Sequence, residues 1–174
     1  MPSESTTGRV ALAISTLMAV VVVSTIAVVL SPSLRETLGI DTGYRVDGQI
    51  DLPASAYAST RRTVFFFALS DCPGCRQVQP ALAGLAELLT KGKSARFVLV
   101  TSERRREAGA QYAADLGLAA ESVIYTDLTA LKVRQVPALV VVDNSGSILF
   151  VRDGAPSSAD IDTVARLAGA LSAR

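Results

Sequence analysis

Cys72 and Cys75 are the only cysteines in the chain, and they stand in the stretch FFFALSDCPGCRQVQ, residues 65–79. Two thiols separated by two residues can cycle between dithiol and disulfide if one is a good nucleophile and the other lies within reach of it. The local sequence supplies both conditions. Phe65 to Ser70 is a short apolar run that reads as a buried strand ending at Asp71. A helix starts on Cys72. Pro73 takes its first position, where the missing N–H would be unbonded anyway and the fixed φ already suits a helix. Cys72 therefore falls at a helix N-terminus, where unpaired N–H groups and the helix dipole favour thiolate over thiol. Cys75 lies on the same face about one turn further in. A thiolate at Cys72 would attack a partner disulfide, and Cys75 would then attack the mixed disulfide and release the product.

Two blander uses of such a pair compete with this chemistry. A zinc site normally takes four Cys or His ligands, and this chain has two Cys and no His. A purely structural disulfide would close a very small loop, where the gain in chain entropy is smallest. Thiol chemistry is the stronger reading. The absence of His also removes Cys-His and Ser-His catalysis and the usual transition-metal ligands.

The chain of 174 residues is the size of one domain plus extensions, and its formal net charge of +1 gives no reason to expect nucleic acid as a partner. Val10 to Leu30 is an unbroken apolar segment, softened by Ser15, Thr16, Ser24 and Thr25. At about 1.5 Å per residue it matches a hydrocarbon core of roughly 30 Å. A cleaved signal peptide would be shorter in its apolar part and would end in a small-x-small site. This run is longer and ends VVLSPS. It reads as an uncleaved single-pass anchor, with 1–9 cytoplasmic and 10–30 spanning. The redox domain is then expected on the extracytoplasmic side, periplasmic or cell-surface, where cysteine pairs serve redox traffic.

Residues 31–61 read as a linker. Asp47-Gly48, flanked by Val46 and Ile50, gives a hairpin signal inside it. The domain proper is expected over 62–174. The helix from Cys72 carries an apolar stripe of Val78, Leu82, Leu85 and Leu89 and contains Pro80, which predicts a kink. Ala95–Thr101 reads as a strand buried on both faces. Ser102 is placed to cap a helix over 103–116 that Gly117 terminates. Arg104, Arg105 and Arg106 sit between Glu103 and Glu107 and read as a solvated face. Ser122–Tyr125 reads as a short strand and Leu128–Lys132 as a helical turn. Ala138–Asp143 and Ser147–Arg152 read as a hairpin turning at Asn144-Ser145-Gly146. Ser157 or Ser158 is placed to cap a last helix with Ile161, Val164, Leu167, Ala168 and Leu171 on one side. Pro137, directly ahead of a core strand, is a candidate cis peptide, although a trans proline opening the strand is the simpler reading of the sequence.

This order of elements, with Cys72-Pro73-Gly74-Cys75 at a strand-helix junction, Pro80 in the helix and Val136-Pro137 before a hairpin, resembles the thioredoxin-like superfamily. It looks most like the membrane-anchored TlpA-like and MauD-like groups, over roughly residues 62–171. The resemblance implies a three-layer α/β/α domain with a central mixed sheet behind one transmembrane helix. It implies a thiol-disulfide oxidoreductase that needs no cofactor beyond the Cys72–Cys75 disulfide, with protein thiols or disulfides as partners and an upstream membrane electron donor. Cys72 would be the attacking cysteine and Cys75 the resolving one. Pro137 would be a cis-proline against the dithiol, and Val136 would offer backbone bonds to a bound peptide. Asp71, Pro73, Gly74 and Arg76 would support the site. Asp71 stands where many relatives have Trp; its charge opposes a thiolate at Cys72, while a capping role and Arg76 act in the other direction. Relatives often bury an acid beneath the dithiol, and here Phe65, Phe66 and Val78 occupy that neighbourhood. A thioredoxin-like module that binds or assembles a partner, with little turnover, is the other reading.

Overall fold

Arg62–Phe67 forms β1, and every residue of it after Arg62 is buried. The computed structural model in which it lies describes residue 18 and residues 43–93, 95–102, 104 and 106–171. Nearly all of the segment expected to span a membrane, 10–30, lies outside the described residues, as does 31–42. Among the described residues no helix is long and apolar enough to cross a membrane.

β1 pairs in parallel with β2 (Arg96–Ser102) and antiparallel with β4 (Ala138–Asp143). β3 (Val123–Thr126) adds in parallel outside β2, and β5 (Ile148–Asp153) adds antiparallel outside β4. The result is a mixed five-stranded sheet of order β3-β2-β1-β4-β5 among the described residues. The central strands have core on both faces, so their side chains divide by alternation. Val64, Phe66, Phe97, Leu99, Leu139 and Val141 belong to one core, and Phe65, Phe67, Val98, Val100, Val140 and Val142 to the other.

The first core is roofed by three helices, α1 (Pro73–Gly92), α2 (Arg106–Asp115) and α3 (Ser158–Leu167). The connections β1-α1-β2 and β2-α2-β3 step in the same direction across parallel strands, so right-handed crossovers put both helices on one face. The stripe Val78, Leu82, Leu85 and Leu89 is buried against the sheet, and α1 runs through Pro80. Gly117, at φ +70, ends the α2 region, with the Leu118 N–H donating to the Ala113 carbonyl at 2.9 Å.

The second face corrects the expectation of three layers. Among the described residues it carries no α-helix. It is covered by Tyr44, Ile50, Leu52 and Ala56, with Leu128, Leu131 and Val133 from the β3–β4 connection beside them. From Gly43 onward, the stretch expected as a linker is therefore part of the folded unit Gly43–Arg174. The turn signal at Asp47-Gly48 is real, for the Gly48 N–H donates to the Arg45 carbonyl at 3.0 Å and Asp47 has φ +65. It does not make its own hairpin. The Asp47 N–H donates to the Ile148 carbonyl and the Ile148 N–H to the Gly48 carbonyl, at 2.8 and 2.9 Å. An isolated two-stranded hairpin is marginal in water, and pairing with the β4–β5 turn gives the same backbone groups an existing sheet to join.

Three boundaries shift for local reasons. β1 begins before Phe65, because the buried Thr63 hydroxyl finds the Thr60 hydroxyl at 2.9 Å. Ser102, expected as a cap, is paired with Thr126 in the sheet, and α2 begins only at Arg106. α3 is capped by Ser157 in a reciprocal box with Asp160. It buries Val164, Ala165 and Ala168, whereas Leu167 and Leu171 stay 39% and 42% exposed, contrary to the expected stripe. Leu171 lies past the turn at Gly169, which has φ +75 and leads the chain off the helix axis.

The two leucines give a direct test of this packing. Leu82→Ala should cost about 2–5 kcal/mol, as large-to-small changes in full cores do, whereas Leu167→Ala should stay within about 0.5 kcal/mol. Urea unfolding of both variants measures the difference, and similar losses would contradict the placement of α1 and α3.

Candidate active site

β1 ends at Phe67, and the chain reaches α1 through a tight turn in which the Cys72 N–H donates to the Leu69 carbonyl at 3.1 Å. Cys72 is itself the N-cap of α1, in extended backbone at φ −79 and ψ 117. Its sulfur takes the part that a Ser or Asp oxygen usually plays, accepting from the Cys75 N–H at 3.2 Å. Asp71, expected as a cap, is exposed one residue before the cap. Arg76 donates from Nε to the Ser70 carbonyl at 3.1 Å, tying the first turn of α1 to the strand-helix junction.

The same sulfur faces the start of β4. The Cys72 thiol lies 3.7 Å from the Val136 carbonyl oxygen, and the Val136–Pro137 peptide bond is cis. Pro137 is buried and Cys72 is half-buried. Gly74 lets these parts approach, since a Cβ there would lie 3.3 Å from Pro137 Cδ and 4.0 Å from Cys72 Sγ. The structure thus brings together Cys72, Pro73, Gly74, Cys75, Val136 and Pro137. Both cysteines are free thiols.

Cys75 differs sharply from Cys72 in environment. It is fully buried in the helix-side core. Burial first, and the neighbouring Cys72 sulfur second, push its thiol from an ordinary 9.0 up to about 12. Of the three residues expected beneath the dithiol, Phe66 and Val78 share this core with Cys75, whereas Phe65 faces the opposite side of the sheet.

The residue not foreseen is Tyr112, on α2. Its hydroxyl donates to the Cys75 carbonyl at 2.7 Å, and its ring stacks on Phe66 with centroids 6.4 Å apart. Burial, with the two cysteines adding, holds its phenol proton well above the ordinary 10.0. A tyrosine in an alanine-rich helix carries no sequence signal for such a bond, which joins positions 37 apart in the chain. The hydroxyl thereby gives the carbonyl of the buried cysteine a hydrogen-bond partner from a second helix.

A CxxC pair at a strand-helix junction, facing a cis-proline that opens a β-hairpin, on a mixed sheet of this order, defines a thioredoxin-like protein. Residues 61–148 match the thioredoxin-like family model, and the chain belongs to that family. Among solved structures it is similar to a thiol:disulfide interchange protein of the thioredoxin family from Chlorobium tepidum TLS. The identity is 17% and the TM-score 0.51, over 72% of this chain and 97% of that one. It is also similar to a secreted Mycobacterium tuberculosis disulfide oxidoreductase homologous to E. coli DsbE, at 16% identity and TM-score 0.51, over 68% and 86% of the two chains. A third is a thiol:disulfide interchange protein from Bacteroides sp., at 17% identity and TM-score 0.52, over 64% and 76%. No curated protein matches the chain in sequence.

The contrast between the two thiols is testable by alkylation. In the reduced native chain at pH 8, iodoacetamide should modify Cys72 while Cys75 stays unlabelled. The buried thiol, pushed up to about 12 by burial and by the neighbouring Cys72 sulfur, stays protonated at that pH. Mass spectrometry reads the sites, and rapid labelling of both would refute the burial of Cys75.

Stability should also depend on pH in a defined sense. Between the ordinary 9.0 and about 12 the unfolded chain has released the Cys75 proton and the folded chain still holds it. Stability of the reduced protein therefore falls as pH rises through this window. The fall should be shallower in Cys75→Ala, as followed by urea midpoints at several pH values.

Proposed function

We propose that the chain is a thiol-disulfide oxidoreductase, held by the apolar segment 10–30 to a membrane with its redox domain on the extracytoplasmic side, acting on disulfides of other proteins. One observation carries the chemistry: a half-buried sulfur at the first turn of α1 beside Val136-Pro137, with a second, fully buried sulfur one turn behind it. Attack by the Cys72 thiolate on a substrate disulfide forms a mixed disulfide and expels one substrate thiolate, which takes up a proton. Cys75 then loses its proton and attacks Cys72 Sγ. This forms the Cys72–Cys75 disulfide and releases the second substrate thiol. Two electrons pass from the dithiol to the substrate, and a membrane dithiol donor returns them in the next cycle.

The geometry supports this order of steps. The buried, weakly acidic Cys75 is not available for the first attack, but once Cys72 carries the substrate, Cys75 is the thiol held nearest to the mixed bond. The Val136 carbonyl faces the reacting sulfur, where an extended substrate backbone can donate to it. Support for the tether comes from the length and continuity of the apolar run.

Reduction of insulin disulfides by the reduced chain should show a cysteine-dependent rate that Cys72→Ser abolishes. Cys75→Ser should accumulate a mixed disulfide through Cys72, visible on a non-reducing gel. A chain with no rate above background would instead be a binding or assembly module. Membrane-impermeant maleimide added to intact, reduced cells should label Cys72. Protection that ends only on lysis would put the domain on the other side.

A further inference from the structure

The end of the sheet away from the dithiol carries a charge arrangement that thiol exchange does not use. β1 and β2 begin there with Arg62 and Arg96, and α1 ends there with the left-handed cap residue Lys93. Two hollows open on this surface, of about 500 and 510 Å³. The first is lined by Arg61, Lys93 and Arg96 together with the hydroxyl residues Ser59, Thr60 and Ser122. The second is lined by Arg61, Arg62, Lys93 and Arg166, and the two share Arg61 and Lys93 as a common lip. Among the described residues no Asp or Glu lines either hollow.

In a chain with 17 basic and 16 acidic residues, five cations gathered with no carboxylate from the described residues among them depart from the even mixing that the totals would give. None of the five forms an ion pair among the described residues. Their hydrogen bonds go to neutral groups. Arg96 donates to the Glu121 and Ala56 carbonyls at 2.6 and 3.5 Å, Arg62 to the Arg61 carbonyl at 3.0 Å, and Arg166 to the Asp162 carbonyl and the Thr163 hydroxyl. Asp143 feels the charge of Arg62, but its carboxylate is held in the β4–β5 turn by Ser145 and Ser147. The C-termini of α1 and α3 offset part of the charge, at about half a negative charge each, against five positive ones. Arg61, Lys93 and Arg96 line one hollow, so an anion seated there faces all three at once.

We propose that these adjoining hollows bind a phosphate group, held by Arg61, Lys93 and Arg96 with Arg62 and Arg166 at the flank. Three cations around one concavity, with the Ser59 and Ser122 hydroxyls beside them, give the charge-assisted hydrogen bonds that a tetrahedral oxyanion accepts. The group could come from free phosphate or from an anionic lipid headgroup, and the chemistry of the hollow is the same for both.

The test uses the full chain, 15N-labelled and solubilised in detergent. Titration with inorganic phosphate at constant ionic strength should shift the amides of Lys93, Arg96 and Gly169 saturably, where chloride does not. In Arg61→Gln/Lys93→Gln the affinity should fall by about tenfold or more, since each lost charge-assisted bond is worth about that much. The double variant should retain insulin reduction and native circular dichroism, because neither residue touches the dithiol. The same amides are then followed in nanodiscs of phosphatidylglycerol and of phosphatidylcholine. If the phosphatidylglycerol discs move them and block added phosphate, the headgroup is the source. If both discs leave them unmoved and free to respond, the source is free phosphate. No response to phosphate or to phosphatidylglycerol beyond the chloride control overturns the proposal, as does an unchanged response in the folded double variant.

Discussion

The rotation of α1 about its own axis is the constraint on which the site depends. Val78, Leu82, Leu85 and Leu89 must enter the core together, and that requirement fixes which way every other residue of the helix points. Cys75 lies three residues before Val78 and is carried inward with the stripe, to full burial. Cys72, at the cap, is where helical geometry has not yet begun, and so its sulfur can turn back over the first N–H groups and toward β4. One buried and one accessible thiol therefore follow from how a helix packs on a sheet. Tyr112 secures the arrangement from the neighbouring helix by bonding the Cys75 carbonyl, so α2 contributes to the site without approaching either sulfur's substrate side.

The partner of Cys72 comes from 64 residues away, and sheet register is what delivers it. β1 and β4 run antiparallel with Phe67 opposite Ala138. The chain leaving β1 toward Cys72 and the chain arriving at β4 through Val136-Pro137 thus meet at the same end of the sheet. A slip of one residue would turn the Phe65 and Phe67 side chains into the helical layer and disrupt both cores, so the hydrophobic alternation of β1 and β4 fixes the site's geometry as well as the fold. Gly74 completes the approach by leaving no Cβ between α1 and Pro137.

The two ends of the domain differ in electrostatics as well as in chemistry. At the dithiol end the N-terminus of α1 donates the Cys75 N–H to the Cys72 sulfur. At the other end α1 finishes beside Arg61, Lys93 and Arg96, where cations meet helix C-termini and the beginnings of strands. A helix laid on a parallel sheet always separates its poles in this way. The number of cations at the second end exceeds what the helix termini can balance, which is why that surface has a chemical character of its own.

How much of this was legible in the sequence depends on the range of the interaction. Pro73 at a first helical position, the stripe after it, the turn at Gly146 and a capping serine at 157 or 158 act within a few residues, and such signals placed α1, the β4–β5 hairpin and α3 close to where they lie. The role of Cys72 as its own cap, in place of Asp71, lay one position beyond that resolution. Long-range contacts were invisible. No local pattern announces that Tyr112 reaches Cys75, that 43–57 covers the second face of the sheet where helices were expected, or that Ser102 is held by Thr126 in a strand. By itself, the sequence determined the elements and the spacing of the two thiols, because propensity, capping and periodicity are local. Only the tertiary structure decided which thiol is fully buried, what faces the other and which surface gathers cations, because burial and proximity arise when distant segments pack.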